Sequence, residues 1–300
     1  MLDQSDATKQ IGGGVGRIAY VNGRYVPQAQ ATVPIEDRGY QLGDGVYEVC
    51  EIRGGALIDE ERHLARLARS LAELKIAQPL APGALTHVLR EVLARNKVRD
   101  GFIYIQVTRG VAPRDHAFPA PAVRPSLVVT AKAVDPAKGA AQAAKGIKVI
   151  SLPDIRWKRP DIKTIGLLPN VLARQAAKEQ GAYEAWLIDA DGWVTEGAAS
   201  NAWIVTADKT IVTHQVDQSI LRGVTRTTLL DLIAAKGYRL EERRFSLDEA
   251  KQAAEAFITG ATTLVMPVVA IDDTPIGGGR PGALATSLRA QFHNFARATS

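Results

Sequence analysis

The sequence predicts an α+β fold. Apolar residues recur at both strand and helix spacing, but the two kinds of element mix without the regular alternation of a doubly wound sheet. The 300 residues carry 46% hydrophobic content, enough for one large domain or two modest ones. A composition shift near the middle then supplies a division between two.

The stretch through Gly16 is polar and then Gly-rich. It lacks the apolar core of a secretory signal, and residues 1–17 are read as a flexible leader. Order is expected to begin at the strand-like Ile18-Ala19-Tyr20-Val21, followed by Asn22-Gly23, a strong hairpin signal. Gly45 to Ile52 is a second strand candidate. From Asp59 to Leu74 the residues Leu64, Leu67, Leu71 and Leu74 fall at helical spacing, and Leu85 to Leu93 repeats the pattern. Strands are expected at Ile103–Thr108 and Ser126–Ala131, separated by the Pro-rich loop Ala112–Pro125.

Lys132 to Gly146 turns rich in Ala, Gly and Lys, which sets the boundary between a domain over 18–133 and another over 134–300. Beyond it, strands are expected near residues 147–150, 184–188, 202–205 and 256–258, and helices over 168–179 and 225–236. Gly277, Gly279 and Gly282 spell G-x-G-x-x-G, but too little chain follows for a βαβ unit. They are read as a hairpin tip. Gly12 to Gly16 has no preceding strand and is set aside as well.

Charge and composition narrow the function. The net charge of +5 is mild, Lys and Arg are spread along the chain, and only 6% of residues are aromatic. A nucleic-acid surface would show a basic stripe with interleaved aromatics, whereas a small anionic ligand fits this charge. The five histidines show no metal-ligand spacing, so no metal site is expected. The one cysteine, Cys50, forms no internal disulfide and lies in a strand-like run, which points to a buried structural thiol and a reducing cytoplasm. No apolar run reaches the ~20 residues that a membrane helix needs.

Several groups of residues carry chemistry. Leu221-Arg222-Gly223-Val224-Thr225-Arg226 runs into an apolar helix pattern, so free N–H groups and a hydroxyl at its start make a phosphate cup or an ordinary N-cap. Thr259-Gly260-Ala261-Thr262-Thr263 ends a strand and is either a second anion contact or a plain turn. Arg114 and His116, in Pro113-Arg114-Asp115-His116, form a pair able to grip a carboxylate, or else a solvated loop. Lys163 stands among apolar neighbours. A lysine stripped of water gives up its proton more easily and becomes an amine nucleophile. On this basis alone, a surface lysine is the alternative.

Long strings settle the choice. Glu36-Asp37-Arg38-Gly39-Tyr40-Gln41-Leu42-Gly43-Asp44-Gly45-Val46-Tyr47-Glu48, Gln106-Val107-Thr108-Arg109-Gly110, Pro113-Arg114-Asp115-His116, Asp161-Ile162-Lys163 and Val194-Thr195-Glu196-Gly197-Ala198-Ala199-Ser200-Asn201 occur in this order. In order and spacing the chain resembles the fold-type-IV pyridoxal-phosphate (PLP) enzymes, and within them the D-amino acid transaminases. The likeness runs from about Tyr20 to His293.

It implies a small N-terminal α/β domain and a larger C-terminal domain around a barrel-like β core. It implies PLP held by Lys163 as a Schiff base, with the freed amine moving a proton between the substrate α-carbon and cofactor C4′. Glu196 matches the carboxylate facing the pyridine nitrogen, and Leu221 a residue packed on the ring. Val224, Thr225 and Arg66 match the phosphate contacts. At Ala261, relatives usually carry a phosphate-binding Thr, so Thr262 or a backbone N–H is expected to take its place. Leu264 stands where Glu is common.

Tyr40, Arg114 and His116 match a carboxylate trap for D-amino acids, with the Arg114 loop reaching across from a second subunit of a homodimer. D-Alanine and D-glutamate are the implied donors, and 2-oxoglutarate or pyruvate the acceptors. A branched-chain L-amino acid aminotransferase, an (R)-amine transaminase and an aminodeoxychorismate lyase share the fold and are the rivals. Outside enzymes, the rivals are a silent PLP carrier or phosphate-ligand binding protein, which Lys163 and Glu196 argue against, and a nucleic-acid binder.

Overall fold

A computed structural model describes residues 16–300, so the expected leader lies outside the described residues except for Gly16 and Arg17. The first part of the chain forms β1 (Ile18–Val21), β2 (Arg24–Pro27), α1 (Arg38–Leu42), β3 (Gly45–Arg53), β4 (Ala56–Ile58), α2 (Glu60–Glu73), α3 (Pro82–Asn96), β5 (Gly101–Thr108) and β6 (Ser126–Ala133). Its strands pair antiparallel in the order β4-β3-β5-β6-β1-β2. The Leu64–Leu74 stripe makes α2 as expected: Leu67 and Leu71 join Val46, Cys50 and Ile52 in one core. Each fully buried leucine contributes roughly 2 kcal/mol. Successive residues of a strand face opposite ways, so Val46, Glu48, Cys50 and Ile52 are buried, while Tyr47 and Val49 on the other face are half-buried.

The second part begins with a helix inside the composition shift itself. There α4 (Pro136–Lys145) is capped by Asp135, which accepts from the Ala137 N–H at 2.9 Å. Then come β7 (Ile147–Pro153), α5 (Leu168–Glu179), β8 (Glu184–Ile188), β9 (Val194–Gly197), β10 (Asn201–Val205) and β11 (Ile211–Thr213). After them follow α6 (Val224–Ala235), β12 (Leu240–Glu242), α7 (Leu247–Lys251), β13 (Glu255–Gly260), β14 (Leu264–Ile271), β15 (Thr274–Pro275) and α8 (Ala283–Gln291). The strand order is β12-β11-β10-β13-β14-β7-β8-β9, with β15 added to β14, and parallel and antiparallel pairs are mixed.

That sheet has to curl. Edge strand β9 is joined to β10 by only Ala198, Ala199 and Ser200, with the Gly197 N–H on the Ser200 carbonyl at 2.7 Å. So short a link spans at most about 15 Å, whereas β9 and β10 in a flat sheet of this order would lie roughly 24 Å apart. The sheet therefore wraps into a barrel-like shell around Trp186, Phe245 and Ile258, and a second core of Trp203, Phe257, Leu229 and Leu288 packs against α6 and α8.

Two local readings change. β14 is not among the expected strands, and its Pro267 is a residue seldom tolerated in a central strand. Pairing with β7 starts only at Val268, so Pro267 faces β13 alone and its missing N–H interrupts no second ladder. Gly277–Gly279 is a 3₁₀ turn leading toward α8, and the β14–β15 hairpin tip is Asp272-Asp273 instead. Nearby, a Cβ at Gly282 would collide with Glu255, whose carboxylate takes the Leu284 and Ala285 N–H groups at 3.0 and 2.9 Å. The G-x-G-x-x-G pattern thus serves a helix start.

The last strand, β16 (Ala298–Thr299), returns to pair with β4 and makes the first sheet seven-stranded. A polar joint adds to it, with Thr228 of α6 donating to Asp59 at 2.6 Å and accepting from Arg62 at 2.7 Å. Helices α2 and α6 are thereby held together at their N-terminal halves. Cys50 is buried, donates to the Ile58 carbonyl at 3.0 Å, and is pushed up in pKa by burial. A thiol reagent is expected to leave the native protein unmodified and to label one thiol per chain after denaturation. Rapid labelling of the native protein would contradict this packing.

Candidate active site

A cavity of about 280 Å³ lies between the two sheets, at the low end of the range for small-molecule sites. The first sheet's side contributes Tyr47 and Arg66, the second sheet's side Glu196 and Thr225, and the segment between β7 and α5 contributes Lys163.

Lys163 is fixed through its backbone. Its carbonyl accepts from the Tyr47 N–H at 3.0 Å, and the Ile165 N–H donates to the Gly45 carbonyl at 3.1 Å. Ile162 is buried in the first core, so the next side chain projects toward the cavity. The half-buried Lys163 places Nζ 4.4 Å from the centre of the Tyr47 ring.

Glu196 ends the wholly buried strand β9 together with Gly197. Its carboxylate takes the Asn201 Nδ2 at 2.9 Å, the Leu221 N–H at 3.1 Å and a guanidinium N–H of Arg156. Burial pushes the Glu196 carboxyl above its ordinary value, while Arg156, the Leu221 N–H and Lys163 pull it back. Burial alone would lower Arg156, but Glu196 and Asp154 outweigh it and hold the guanidinium above its ordinary value. Asp154 grips Arg156 at 2.7 Å and Thr195 at 2.9 Å, so the carboxylate is oriented by a buried network.

Helix α6 starts at the edge of the cavity. Its N-cap is Gly223, which has no side chain to satisfy the first N–H groups, so those of Val224 and Thr225 are available to a ligand. Gly223 is required here, because a Cβ would sit 2.1 Å from Asn201 Oδ1. Arg66 reaches the same end and donates to the Arg222 carbonyl at 2.9 Å. Buried Glu48 holds it from behind, accepting at 2.7 and 2.9 Å, and also takes His63 Nδ1 at 2.7 Å. Burial opposes ionisation of Glu48, but Arg66 and His63 win and hold its pKa down at about 2.

Ala261 and Thr262 both border the cavity. Thr262 is exposed, whereas the Thr263 hydroxyl is buried without a partner among the described residues. Tyr40, Arg114 and His116 do not line this cavity. Tyr40 is 74% exposed on α1, and Arg114 and His116 are exposed on the loop after β5. Among the described residues no group of three His, Cys, Asp or Glu side chains is close enough to hold a metal ion.

Residues 45–271 match the family model for amino-transferase class IV. A D-alanine aminotransferase of Bacillus licheniformis is 42% identical over 91% of this chain and 95% of its own. The chain belongs to the class IV aminotransferases. A D-alanine aminotransferase of Staphylococcus haemolyticus is 37% identical over 94% of this chain and 98% of its own. Among solved structures, a branched-chain amino acid aminotransferase of T.th. with pyridoxamine 5'-phosphate superimposes with a TM-score of 0.85, at 27% identity and 93% coverage of both chains. A branched-chain amino acid aminotransferase from Escherichia coli shares the fold, with a TM-score of 0.83 at 21% identity, over 93% of this chain and 94% of that one.

In this class IV aminotransferase, sequence reasoning named Lys163, Glu196, Arg66, Leu221, Val224, Thr225, Ala261 and Thr262 as site residues, and all eight border one cavity. It missed Arg156, Asn201, Glu48 and His63. Asn201 and Glu48 lie within the strings that carry the resemblance and His63 is three residues before Arg66, but Arg156 carries no local signal. Glu48 sets a pH test. A carboxyl held at about 2 in the folded state, against an ordinary 4.5, contributes stability that is present above 4.5 and lost as pH falls through 2. Glu48→Gln is expected to cost about 3 kcal/mol at neutral pH in urea unfolding, with the gap from wild type closing as pH is lowered. A gap that stays constant with pH would show that Glu48 is not ionised by its partners.

Proposed function

We propose that this chain transfers the amino group of D-amino acids to 2-oxo acids, with PLP as cofactor. D-Alanine and D-glutamate are the proposed donors and pyruvate or 2-oxoglutarate the acceptors. The observation that carries the reading is one cavity bounded by an amine, a buried carboxylate and a helix N-terminus backed by arginine. Two relatives that are 42% and 37% identical over more than 90% of this chain are D-alanine aminotransferases.

The residues fit the cofactor on chemical grounds. The glycine cradle at Gly223, the N–H groups of Val224 and Thr225, and Arg66 suit a phosphate. Glu196 suits a protonated ring nitrogen and Leu221 a ring face, while Ala261 and Thr262 complete the phosphate end through the backbone. When bound, PLP supplies an aldehyde that takes up the amino group and a ring that accepts electron density from the α-carbon. Lys163 Nζ takes the proton from the substrate α-carbon, its tether to β3 keeping the amine at one position. Glu196 holds a proton at the ring nitrogen, and Arg156 and Asn201 keep its carboxylate turned that way. Tyr47 shields the amine on one side.

Tyr40, Arg114 and His116 bind the substrate carboxylate in this reading. Because they lie off their own chain's cavity, they serve the cavity of a second copy, and the active unit is a homodimer. The reading also keeps residues 18–133 and 134–300 as two domains flanking the cavity. It places the enzyme in the cytoplasm, in keeping with a single buried thiol; no helix of the described residues is long and apolar enough to cross a membrane.

The likeness to branched-chain enzymes favours one rival, and a spectral titration decides between them. D-Alanine, without an acceptor, is expected to bleach the bound cofactor's visible absorption and release pyruvate, while L-alanine and L-leucine leave it unchanged. Bleaching by L-leucine alone would move the assignment to branched-chain substrates. Lys163→Ala is expected to abolish this half-reaction, and undiminished turnover would overturn its role. Arg114→Ala is expected to raise KM for amino and oxo acids more than for an amine without a carboxylate.

A further inference from the structure

Arg38, within the stretch from Glu36 to Glu48, is the first residue of α1 and only 3% exposed. Two residues on, Tyr40 is open to solvent. The Arg38 guanidinium is committed on three sides. Its Nε donates to Asp44 Oδ2 at 2.8 Å, its Nη1 to the Asp115 carbonyl at 2.6 Å, and its Nη2 to the His116 carbonyl at 3.4 Å. Two of its acceptors therefore belong to the exposed loop that carries Arg114 and His116.

Asp44 is shared with a second arginine. Arg109 donates to it through Nε at 2.7 Å and Nη2 at 3.0 Å, and binds the Leu74 and Lys75 carbonyls at 2.8 and 2.9 Å. The Phe118 ring, further along the same loop, lies 3.7 Å from the Arg109 guanidinium carbon. Burial would raise Asp44, but Arg109 and Arg38 outweigh it and hold the carboxyl low. The loop is thus fastened at two points, at residues 115–116 and at 118, to one charged centre next to α1. A loop that merely covered the surface would need neither.

We propose that the Arg38–Asp44–Arg109 cluster is a positioning device for the substrate carboxylate: it locks the Arg114 and His116 loop against α1, so that Tyr40, Arg114 and His116 act as one rigid unit. This rests on the assignment of those three residues to the substrate carboxylate. The cluster itself touches no substrate. Its contribution is to spare the substrate the cost of ordering the loop, which shows in KM and not in the chemical step.

The test uses the holoenzyme with D-alanine and 2-oxoglutarate. Arg38→Lys keeps a charge at Asp44, but a single ammonium cannot span a carboxylate and two carbonyls as the planar fork does. KM for both substrates is expected to rise about tenfold, with kcat within about twofold and cofactor content unchanged. In an Arg114→Ala background the same substitution is expected to add less than about twofold, since both act through one loop. Phe118→Ala, at an exposed position that does not endanger folding, is expected to raise KM about threefold through the Arg109 arm. If Arg114→Ala raises KM while Arg38→Lys and Phe118→Ala do not, the positioning role is overturned and the carboxylate assignment stands. If Arg114→Ala leaves KM unchanged, the assignment itself falls. Equal kcat losses on all substrates, including (R)-phenylethylamine, would mark general damage and overturn the positioning role.

Discussion

Strand β3 must meet two demands at neighbouring residues. The backbone N–H of Tyr47 carries the Lys163 segment and its ring faces the amine, while Glu48, pointing the other way, anchors Arg66 and His63. The two-residue period of a strand makes this possible, because adjacent side chains leave on opposite faces. A one-residue slip of β3 against β5 would exchange the faces, burying the tyrosine and exposing the carboxylate. The eight-residue ladder from Gly45↔Thr108 to Ile52↔Gly101 fixes the register. Much of the cavity's layout follows from that one alignment.

The charges around the cavity are largely spent on one another. Arg66 is paired with Glu48, and Arg156 with Glu196 and Asp154. Buried pairs of this kind add little net stability, since desolvation cancels much of the attraction, but removing one partner is costly. Their value lies in direction: each side chain has one place to point. With Arg66 already neutralised, an anion in the cavity depends heavily on the unpaired N–H groups at the start of α6. A glycine N-cap in a position that admits no Cβ is consistent with that dependence.

Legibility in the sequence followed the range of the forces involved. The Leu67 and Leu71 stripe, the alternation in β3 and the Asn22-Gly23 turn are local patterns, and each gave the element observed. β14 was hidden because Pro267 is unfavourable in a strand unless one side goes unpaired, which depends on where β7 begins. The cavity residues could be read only through long strings in fixed order, since Lys163 and Glu196 meet through the fold and not through spacing. The contacts of Arg156 and Arg38 stayed invisible for the same reason. What an arginine grips is decided by carbonyls and carboxylates far along the chain, and its own neighbours say nothing of them.

The return of β16 to β4 has a bearing on how the molecule is made. Ala298 pairs with Ile58, so an edge of the first sheet is supplied by almost the last residues of the chain. Contacts of such long sequence separation form late, after the loop between them has been closed. During synthesis the first sheet therefore waits, with β4 as an open edge, until the second part has emerged and folded beside it. An unpaired strand edge is a site for wrong partners. The edge of β4 stays open from its own emergence until Ala298 and Thr299 arrive to cover it.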